Sequence, residues 1–230
     1  KRVIPARDMI QTGMWMVLTV GVYALSRSLN RRWPSPWTLP VLTSTALLML
    51  LVVASGAGLE GYAGAQRHIT GWLGPATVSL AVPLYRYRAL LLRHGWRVSA
   101  AIVFGTLVAM LSAIVLARLL GLSSALQAAL SLKTATAPIA IALAPQLRAT
   151  PAIVAGIVVA AALLGSMVGP VLMNRMEIRN PLARGLALGT ICSGQGVAGA
   201  FAEAELSGAA ASVAMGLAAV VVSLLAPPLG

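Results

Sequence analysis

Residues 122–147 read LSSALQAALSLKTATAPIAIALAPQL, a long apolar stretch with a polar break in its middle. The break extends from Lys133 to Pro138, and Lys133 is the one charged residue of the stretch. An apolar stretch of this length is typical of a membrane segment. A helix broken inside hydrocarbon leaves backbone groups unpaired, which is tolerated only where protein or water satisfies them. The stretch therefore predicts an interrupted membrane helix built around a polar site.

The composition of the whole chain indicates an integral membrane protein. Of its 230 residues, 59% are hydrophobic and 10% are charged, and the mean hydropathy is +0.89. Soluble domains carry about 25% charged residues. One crossing takes about 20 apolar residues, so this length allows roughly seven to nine apolar segments. That arithmetic excludes a separate catalytic head or a DNA-binding module.

The charged residues are mostly basic, 17 Lys and Arg against 5 Asp and Glu. They lie in short loops between apolar runs, where Lys and Arg mark the cytoplasmic side of a membrane, so we predict no nucleic-acid partner. Cys192 is the single cysteine, and the chain has two histidines. We therefore expect no disulfide, no metal site and no cofactor. No arrangement of catalytic side chains is evident, and an enzyme is not predicted.

Eight hydrophobic segments can be distinguished, and from the third onward interrupted segments alternate with clean ones. They cover residues 9–25, 39–56, 69–84, 98–120, 122–147, 151–173, 182–206 and 209–225. We predict an all-α polytopic membrane protein in which residues 1–230 form a single transmembrane domain. It would consist of an N-terminal extension (1–13), an N-terminal half (14–120) and a C-terminal half (121–230) with two broken segments.

The fifth and seventh segments show weak similarity to each other. When Thr134 is aligned with Thr190, Leu130 falls on Leu186 and Ala142 on Ala198. Matched interrupted segments are the best sequence indication of a transporter binding site built from repeats. We predict an inverted repeat, with chance similarity between frequent Ala and Leu residues as the alternative.

The distribution of basic residues bears on how the fifth segment runs. The loops at residues 86–97 and 175–184 are both rich in Arg and are both expected in the cytoplasm. Three crossings between them would place them on opposite sides. We therefore predict that the fifth segment enters the membrane and returns; the alternative is that it crosses and that one loop departs from the rule. If the seventh segment also returns, the two breaks meet near the midplane from opposite faces.

Lys133 is the main candidate for a functional charge. An ammonium group at mid-membrane costs at least about 2.5–3.5 kcal/mol, and such a residue is usually retained to hold an anionic group. Thr134 and Thr136 place hydroxyl groups beside it, whereas Arg118 and Arg148 lie near enough to the segment ends to snorkel to the interface. The alternative is that Lys133 lies in a loop or reaches the interface.

A second polar break interrupts the seventh segment. It is made of Ser193, Gly194, Gln195 and Gly196. Small residues let a ligand approach the backbone, and the amide of Gln195 both donates and accepts hydrogen bonds. The alternative is a flexible turn or a tight helix contact. Glu203, further along, is a candidate proton carrier or a partner for Lys133, unless it is simply solvated at the segment end.

Four stretches of this chain resemble the signature of the LrgB/CidB family in order and spacing. They are Leu73-Gly-Pro-Ala-Thr-Val-Ser-Leu-Ala-Val-Pro-Leu-Tyr85, Lys133-Thr-Ala-Thr-Ala-Pro-Ile-Ala140, Arg184-Gly-Leu-Ala-Leu-Gly-Thr190 and Ala214-Met-Gly-Leu217. The resemblance extends from about Met14 to Pro228. It implies a multi-pass protein of the bacterial inner (plasma) membrane, embedded in the lipid bilayer and often paired with an LrgA/CidA-type membrane partner. A homo-oligomer is also open.

The resemblance also implies which residues form the site. Lys133, Thr134, Thr136 and Pro138 fall on the family pattern Lys-Ser-Val-Thr-Thr-Pro. Gly194, Gly196 and Glu203 fall on the pattern Ala-His-Gly-Ile-Gly-Thr-Ala followed by Glu. The departures from these patterns are Ala137 for Thr, Ser193 for His, Gln195 for Ile and Val197 for Thr. This chain therefore has no His at the position through which proton coupling in that pattern would run.

Two functions follow from the residues and the resemblance together. The first is a secondary transporter of small monocarboxylates, of the glycolate, glycerate or pyruvate class, that works by alternating access. Lys133 with Thr134, Thr136 and Pro138 would hold the carboxylate, and the break from Ser193 to Gly196 would close the other side. The alternative is a holin/antiholin-like modulator of murein hydrolase activity and cell lysis.

Overall fold

The structure of the protein, a computed structural model, describes residues 6–33, 35–56, 58–72, 75, 78, 79 and 81–229. Every regular element among these residues is a helix. The chain divides into two compact units, residues 1–79 and residues 80–230. A single transmembrane domain with halves that meet at residue 120 stays a prediction.

Three helices and one short 3-10 turn have both ends within the described residues of the first unit. They are α1 (Ala6–Arg32), the turn Pro36–Thr38, α2 (Pro40–Ala54) and α3 (Gly58–Gly71). α1 packs on both other helices. Its Trp15 is 2% exposed and meets the ring of Tyr62 edge to face, with the ring centroids 5.7 Å apart. This aromatic pair anchors the small apolar core of the unit.

The second unit contains the remaining eight helices of the described residues. They are α4 (Ala81–Arg86), α5 (Arg88–Arg93), α6 (Gly95–Leu119), α7 (Ser124–Ser131), α8 (Ala137–Leu143), α9 (Pro151–Arg175), α10 (Pro181–Glu203) and α11 (Glu205–Leu229). α8 continues into a 3-10 turn, Ala144–Leu147. Proline begins α9 and α10 because its missing N–H would be unpaired in the first helical turn anyway.

Five helices among the described residues are long and apolar enough to cross a membrane. They are Met9–Arg32, Gly95–Leu119, Pro151–Arg175, Pro181–Glu203 and Glu205–Ala226. Large apolar side chains on them point outward, such as Phe104 at 70% exposure and Leu224 at 70%. An apolar outer surface of this extent suits lipid rather than water. The all-α membrane fold is therefore confirmed, whereas the eight segments and the inverted repeat stay predictions.

The third predicted segment can be followed only in part. Residues 73, 74, 76, 77 and 80, which belong to the stretch Leu73–Tyr85, lie outside the described residues. The same holds for residues 1–5 of the predicted N-terminal extension.

The fifth segment forms a helical hairpin. α7 ends at Ser131, residues 132–136 form a turn, and α8 begins at Ala137. Residues at the start of α7 and at the end of the 3-10 turn after α8 line one common cavity. The two legs therefore run back along each other, which favours a returning segment over a crossing one. Met110 from α6, Val154 and Val158 from α9 and Val222 from α11 surround the hairpin in one buried cluster.

The seventh segment, α10, also folds back on itself. Ser193 interrupts it with φ 52° and ψ −135°. Nε of Arg184, near the start of α10, donates to a carboxylate oxygen of Glu203 at 2.7 Å, and its Nη2 donates to the other oxygen at 2.8 Å. A straight helix would hold two residues this far apart in sequence at roughly 28 Å. Residues 181–192 and 194–203 are therefore the two legs of a second hairpin.

Glycine lets the first leg of α10 lie against α11. A Cβ at Gly185 would collide with the carbonyl oxygen of Ser207, and one at Gly189 with that of Ala211. The four-residue spacing of the two glycines is typical of closely packed membrane helices, where small residues let backbones approach. The hydroxyl of Ser207 also donates to the carbonyl oxygen of Pro181 at 2.8 Å. These contacts fix the second hairpin on α11.

Candidate functional site

Lys133 and Thr134 lie in the turn of the first hairpin. The backbone N–H of Lys133 donates to the carbonyl of Leu130 at 3.3 Å, which forms a tight turn directly at the end of α7. Lys133 is partly buried. Thr134 is 2% exposed, and its Oγ1 has no hydrogen-bond partner among the described residues. The turn therefore presents an ammonium group and an unused hydroxyl side by side.

A cavity of about 340 Å³ forms around these two side chains. Its walls are Lys133, Thr134, Ala161, Leu164, Gly165, Val168 and Ile191. Ile191 belongs to α10, two residues before the break at Ser193, so the structure brings both interrupted segments to one cavity. Leu164 and Val168 are exposed at 62% and 57%, and the cavity opens on their side.

The electrostatics of this cavity favour an anion. The two ion pairs of the described residues join Arg86 to Glu205 and Arg184 to Glu203, so Lys133 has no carboxylate partner among them. A buried hydroxyl without a partner costs about 1–3 kcal/mol, and an acceptor oxygen from a ligand would satisfy Thr134. An ammonium group offers three donors and no acceptor. The arrangement can therefore bind a carboxylate through charge and hydrogen bonds.

Thr136 and Pro138 take a different position from Lys133 and Thr134. Thr136 is the residue just before α8, and Pro138 lies in the first turn of that helix. Pro138 is exposed, and neither side chain lines the cavity around Lys133. The fixed φ of proline suits a helix start. These two residues set where the second leg of the hairpin begins, and contact with substrate stays a prediction for both.

The predicted binding residues of the second break differ in how closely they are packed. A Cβ at Gly196 would collide with the carbonyl oxygen of Leu188 on the facing leg, whereas Gly194 has open space around it. Gly196 therefore makes a tight contact between the legs, and substrate contact at Ser193, Gly194, Gln195 and Gly196 stays a prediction. Oε1 of Gln195 is buried without a partner among the described residues, and Ser193 is 7% exposed.

Glu203 is placed away from Lys133. Its carboxylate is held by Arg184, whose Nη1 also donates to Oδ1 of Asn174 at 2.8 Å and to the carbonyl of Ile178 at 3.0 Å. The structure thus gives Glu203 an arginine partner near the hairpin ends instead of Lys133. Proton coupling by Glu203 stays a prediction. The described residues include no group of three or more His, Cys, Asp or Glu that could hold a metal ion.

Ser193→Gly is expected to stabilise the folded protein. A non-glycine residue at φ 52° is strained by about 1–3 kcal/mol, and glycine adopts this conformation without a Cβ clash. Part of the gain is offset by the extra freedom of glycine in the unfolded chain, so we expect a net rise of about 1 kcal/mol. Thermal unfolding in detergent measures it. Gly194→Ala, at the next position, is the control, and an unfolding temperature of Ser193→Gly equal to that of the wild type contradicts the strain.

Sequence reasoning missed two residues of the cavity wall, Gly165 and Ile191, and one buried hydroxyl elsewhere in the second unit, that of Thr106. Gly165 lies in the clean sixth segment, and a Cβ there would approach Sγ of Cys192 to 2.5 Å, so this glycine lets α9 and α10 close around the site. A glycine in an otherwise clean span was the available signal. Thr106 is fully buried in α6 with an unpaired hydroxyl, and its polarity within an apolar run could have been noted. Ile191 carried no signal.

These features define a class of protein: a multi-pass α-helical membrane protein in which two broken hairpins meet at a largely apolar cavity that holds one ammonium group and one hydroxyl. The sequence model described as the LrgB-like family matches residues 19–230. The chain therefore belongs to the LrgB-like family, as the sequence resemblance predicted.

Curated proteins of similar sequence support this assignment. The uncharacterized protein YwbG of Bacillus subtilis (strain 168) is 34% identical over 212 residues, which cover 92% of this chain and 94% of that protein. The uncharacterized protein YxaC of the same strain is 32% identical, with 92% of each chain covered. The antiholin-like protein LrgB of Bacillus cereus (strain B4264) is 28% identical over 188 residues, 82% of each chain. No solved structure matches this chain.

Proposed function

We propose that this chain carries small monocarboxylate anions, of the glycolate, glycerate or pyruvate class, across a bacterial inner membrane by alternating access. One observation carries the proposal: Lys133, without a carboxylate partner among the described residues, shares a cavity with the unpaired hydroxyl of Thr134. The ammonium group compensates the charge of the substrate carboxylate, and the hydroxyl donates to one of its oxygens. The cavity volume of about 340 Å³ lies at the lower end of ligand sites, which suits an acid of two or three carbons.

In this proposal the second hairpin is the element that moves during transport. Ile191 lines the cavity, and the strained Ser193 follows two residues later. Strained backbone tends to occur at functional turns and switch regions. In the proposed cycle, a change of φ and ψ at Ser193 shifts Ile191 and opens the cavity toward the other side.

We expect a second subunit to cover the open side of the cavity in the membrane. Leu164 and Val168 leave Lys133 accessible from the outer surface of the helices. A charged group facing hydrocarbon is costly, so another protein surface is needed to close this side. An LrgA/CidA-type partner or a second copy of this chain would supply it.

The comparisons favour a different function. The family assignment, together with the name antiholin-like protein LrgB of the Bacillus cereus relative, supports a holin/antiholin-like modulator of murein hydrolase activity and cell lysis more directly than it supports transport. In that function the chain acts as a pore or scaffold and needs no selective site. The cavity around Lys133 is the observation that favours the carrier.

Transport by purified protein in liposomes separates the two functions. A carrier is expected to take up labelled glycolate, glycerate or pyruvate with saturation and to discriminate among acids of similar size. A pore passes unrelated neutral solutes of the same size without saturation. Empty liposomes are the control. Unsaturable leakage, or the absence of any uptake of these acids, contradicts the carrier.

A further inference from the structure

A second cavity, of about 550 Å³, lies at the open end of the first hairpin, away from the turn that holds Lys133. Its polar rim brings together the end of α6, the start of α7 and the 3-10 turn after α8. The rim residues are Arg118, Ser124, Gln127, Gln146 and Arg148. Its floor is apolar, with Ile114, Ala128 and Leu147 all less than 10% exposed. A charged rim above an apolar floor suits a small organic anion.

No Asp or Glu is among the described residues that line this cavity. Between Glu60 and Glu177 the sequence contains no Asp or Glu. Glu203 and Glu205 are paired with Arg184 and Arg86. The rim is therefore a concentrated positive charge, which attracts anions over a distance of about 8–10 Å at ordinary ionic strength.

Arg118 is held in position by a neutral side chain. Nε2 of Gln127 donates to the carbonyl of Leu122 at 2.7 Å, which turns Oε1 of the same amide toward Nε of Arg118 at 3.4 Å. One guanidinium nitrogen is thereby oriented without neutralisation of the charge. The remaining N–H groups are available for a ligand, because a guanidinium carries five donors.

Arg148 occupies a backbone position that favours glycine. It ends the 3-10 turn with φ 54° and ψ 28°, and the N–H of Ala149 donates back to the carbonyl of Ala144 at 2.9 Å. A left-handed residue that ends a helix in this way is usually glycine or asparagine. An arginine here is less stable than glycine, which indicates that its side chain has a use beyond the fold.

Membrane topology does not explain these arginines. α6 has 25 residues, and Arg118 lies roughly 32 Å along it from Arg97, where the basic loop at residues 86–97 ends. α9, also of 25 residues, separates Arg148 in the same way from the basic loop at residues 175–184. Both basic loops are expected on the cytoplasmic side. The cavity is therefore at the end where the positive-inside rule predicts few arginines.

We propose that this cavity is a second anion-binding site, in which Arg118 and Arg148 bind a carboxylate or phosphate group. Ser131 lines its inner wall, two residues before Lys133, so an anion bound at the rim is positioned along α7 from the Lys133 cavity. The part of this inference in which the site feeds Lys133 rests on the proposed transport. Anion binding at the rim does not.

Binding to purified protein in detergent tests the site independently of transport. We expect Arg118→Gln/Arg148→Gln to lower the affinity for glycolate or inorganic phosphate at least tenfold, whereas Lys133→Ala leaves one anion site per chain. Arg179→Gln, an exposed arginine outside the cavity, is the matched control. If transport fails but this pattern of binding holds, the rim site stands and the proposed carrier function does not.

Arg148→Gly separates a loss of anion binding from a folding defect. It removes the guanidinium and relieves the positive φ, so we expect a higher unfolding temperature together with weaker anion binding. A parallel series in nanodiscs with phosphatidylglycerol or phosphatidylcholine identifies the source of the anion. Stabilisation by phosphatidylglycerol that needs Arg148, without binding of the soluble anions, assigns the site to a lipid headgroup. If neither soluble anions nor phosphatidylglycerol distinguish wild type from Arg118→Gln/Arg148→Gln, the site does not exist.

Discussion

Lys133→Ala is expected to abolish monocarboxylate uptake by liposomes that contain this protein. Loss of one member of a hydrogen-bonded charge pair costs about 2–5 kcal/mol, which corresponds to a fall of at least about 30-fold in substrate affinity. The folded state should not suffer, because the two ion pairs of the described residues do not include Lys133. Removal of an ammonium group from the membrane even relieves a cost of about 2.5–3.5 kcal/mol.

The controls for Lys133 distinguish charge from shape. Lys133→Arg keeps the positive charge and should retain part of the uptake, whereas Lys133→Gln keeps length without charge and should not. Thr134→Val removes the hydroxyl alone and should weaken uptake less than either neutral substitution. Size-exclusion profile and unfolding temperature are measured for each variant. Uptake at the wild-type rate by folded Lys133→Ala contradicts the assignment of the site.

Gly189→Ala is expected to be among the most destabilising single alanine substitutions in α10. Its Cβ would overlap the backbone of Ala211, and a backbone cannot move aside as a flexible side chain can. Overpacking usually costs about 1–3 kcal/mol, and we expect about 3 kcal/mol here, since α11 must shift as a whole. The unfolding temperature in detergent measures the effect.

Gly216→Ala provides a matched control on the partner helix. Gly216 lies in α11, and a Cβ there meets nothing within 4 Å. This variant should be as stable as the wild type or slightly more so, because alanine is the better helix former by about 1 kcal/mol. Equal unfolding temperatures for Gly189→Ala and Gly216→Ala would mean that α10 and α11 do not pack through Gly189.

The sequence predicts the two polar breaks because each interrupts an apolar run with residue types that hydrocarbon disfavours. Lys133 stands out as the one charge of its stretch, and the glycines around Ser193 mark the second break. Within each break, the sequence does not distinguish residues that line the cavity from residues that serve the fold. Gly196 serves packing between the legs, and Pro138 serves the start of α8.

The remaining features depend on pairings that local sequence patterns do not encode. Arg184 and Glu203 meet only because the chain reverses between them, so no i, i+4 rule anticipates their ion pair. The same applies to Arg118 and Arg148, which sequence analysis assigned to snorkelling at separate segment ends. The first hairpin brings these two ends together at one cavity.

The return of α10 upon itself changes the number of membrane crossings, and with it the side on which the following residues lie. By length and hydropathy, residues 181–203 qualify as one crossing, yet the Arg184–Glu203 contact joins the two ends of this segment. α9 therefore arrives at, and α11 departs from, the same end of the molecule. The first leg of α10 runs parallel to α11, because Gly185 and Gly189 lie against Ser207 and Ala211 in the same order. The same leg runs antiparallel to α9, because Leu188 and Cys192 lie against Gly169 and Gly165 in the reverse order. α11 is therefore antiparallel to α9. The end of α11 thus lies on the side where α9 begins, opposite to the side that a count of hydrophobic peaks would assign.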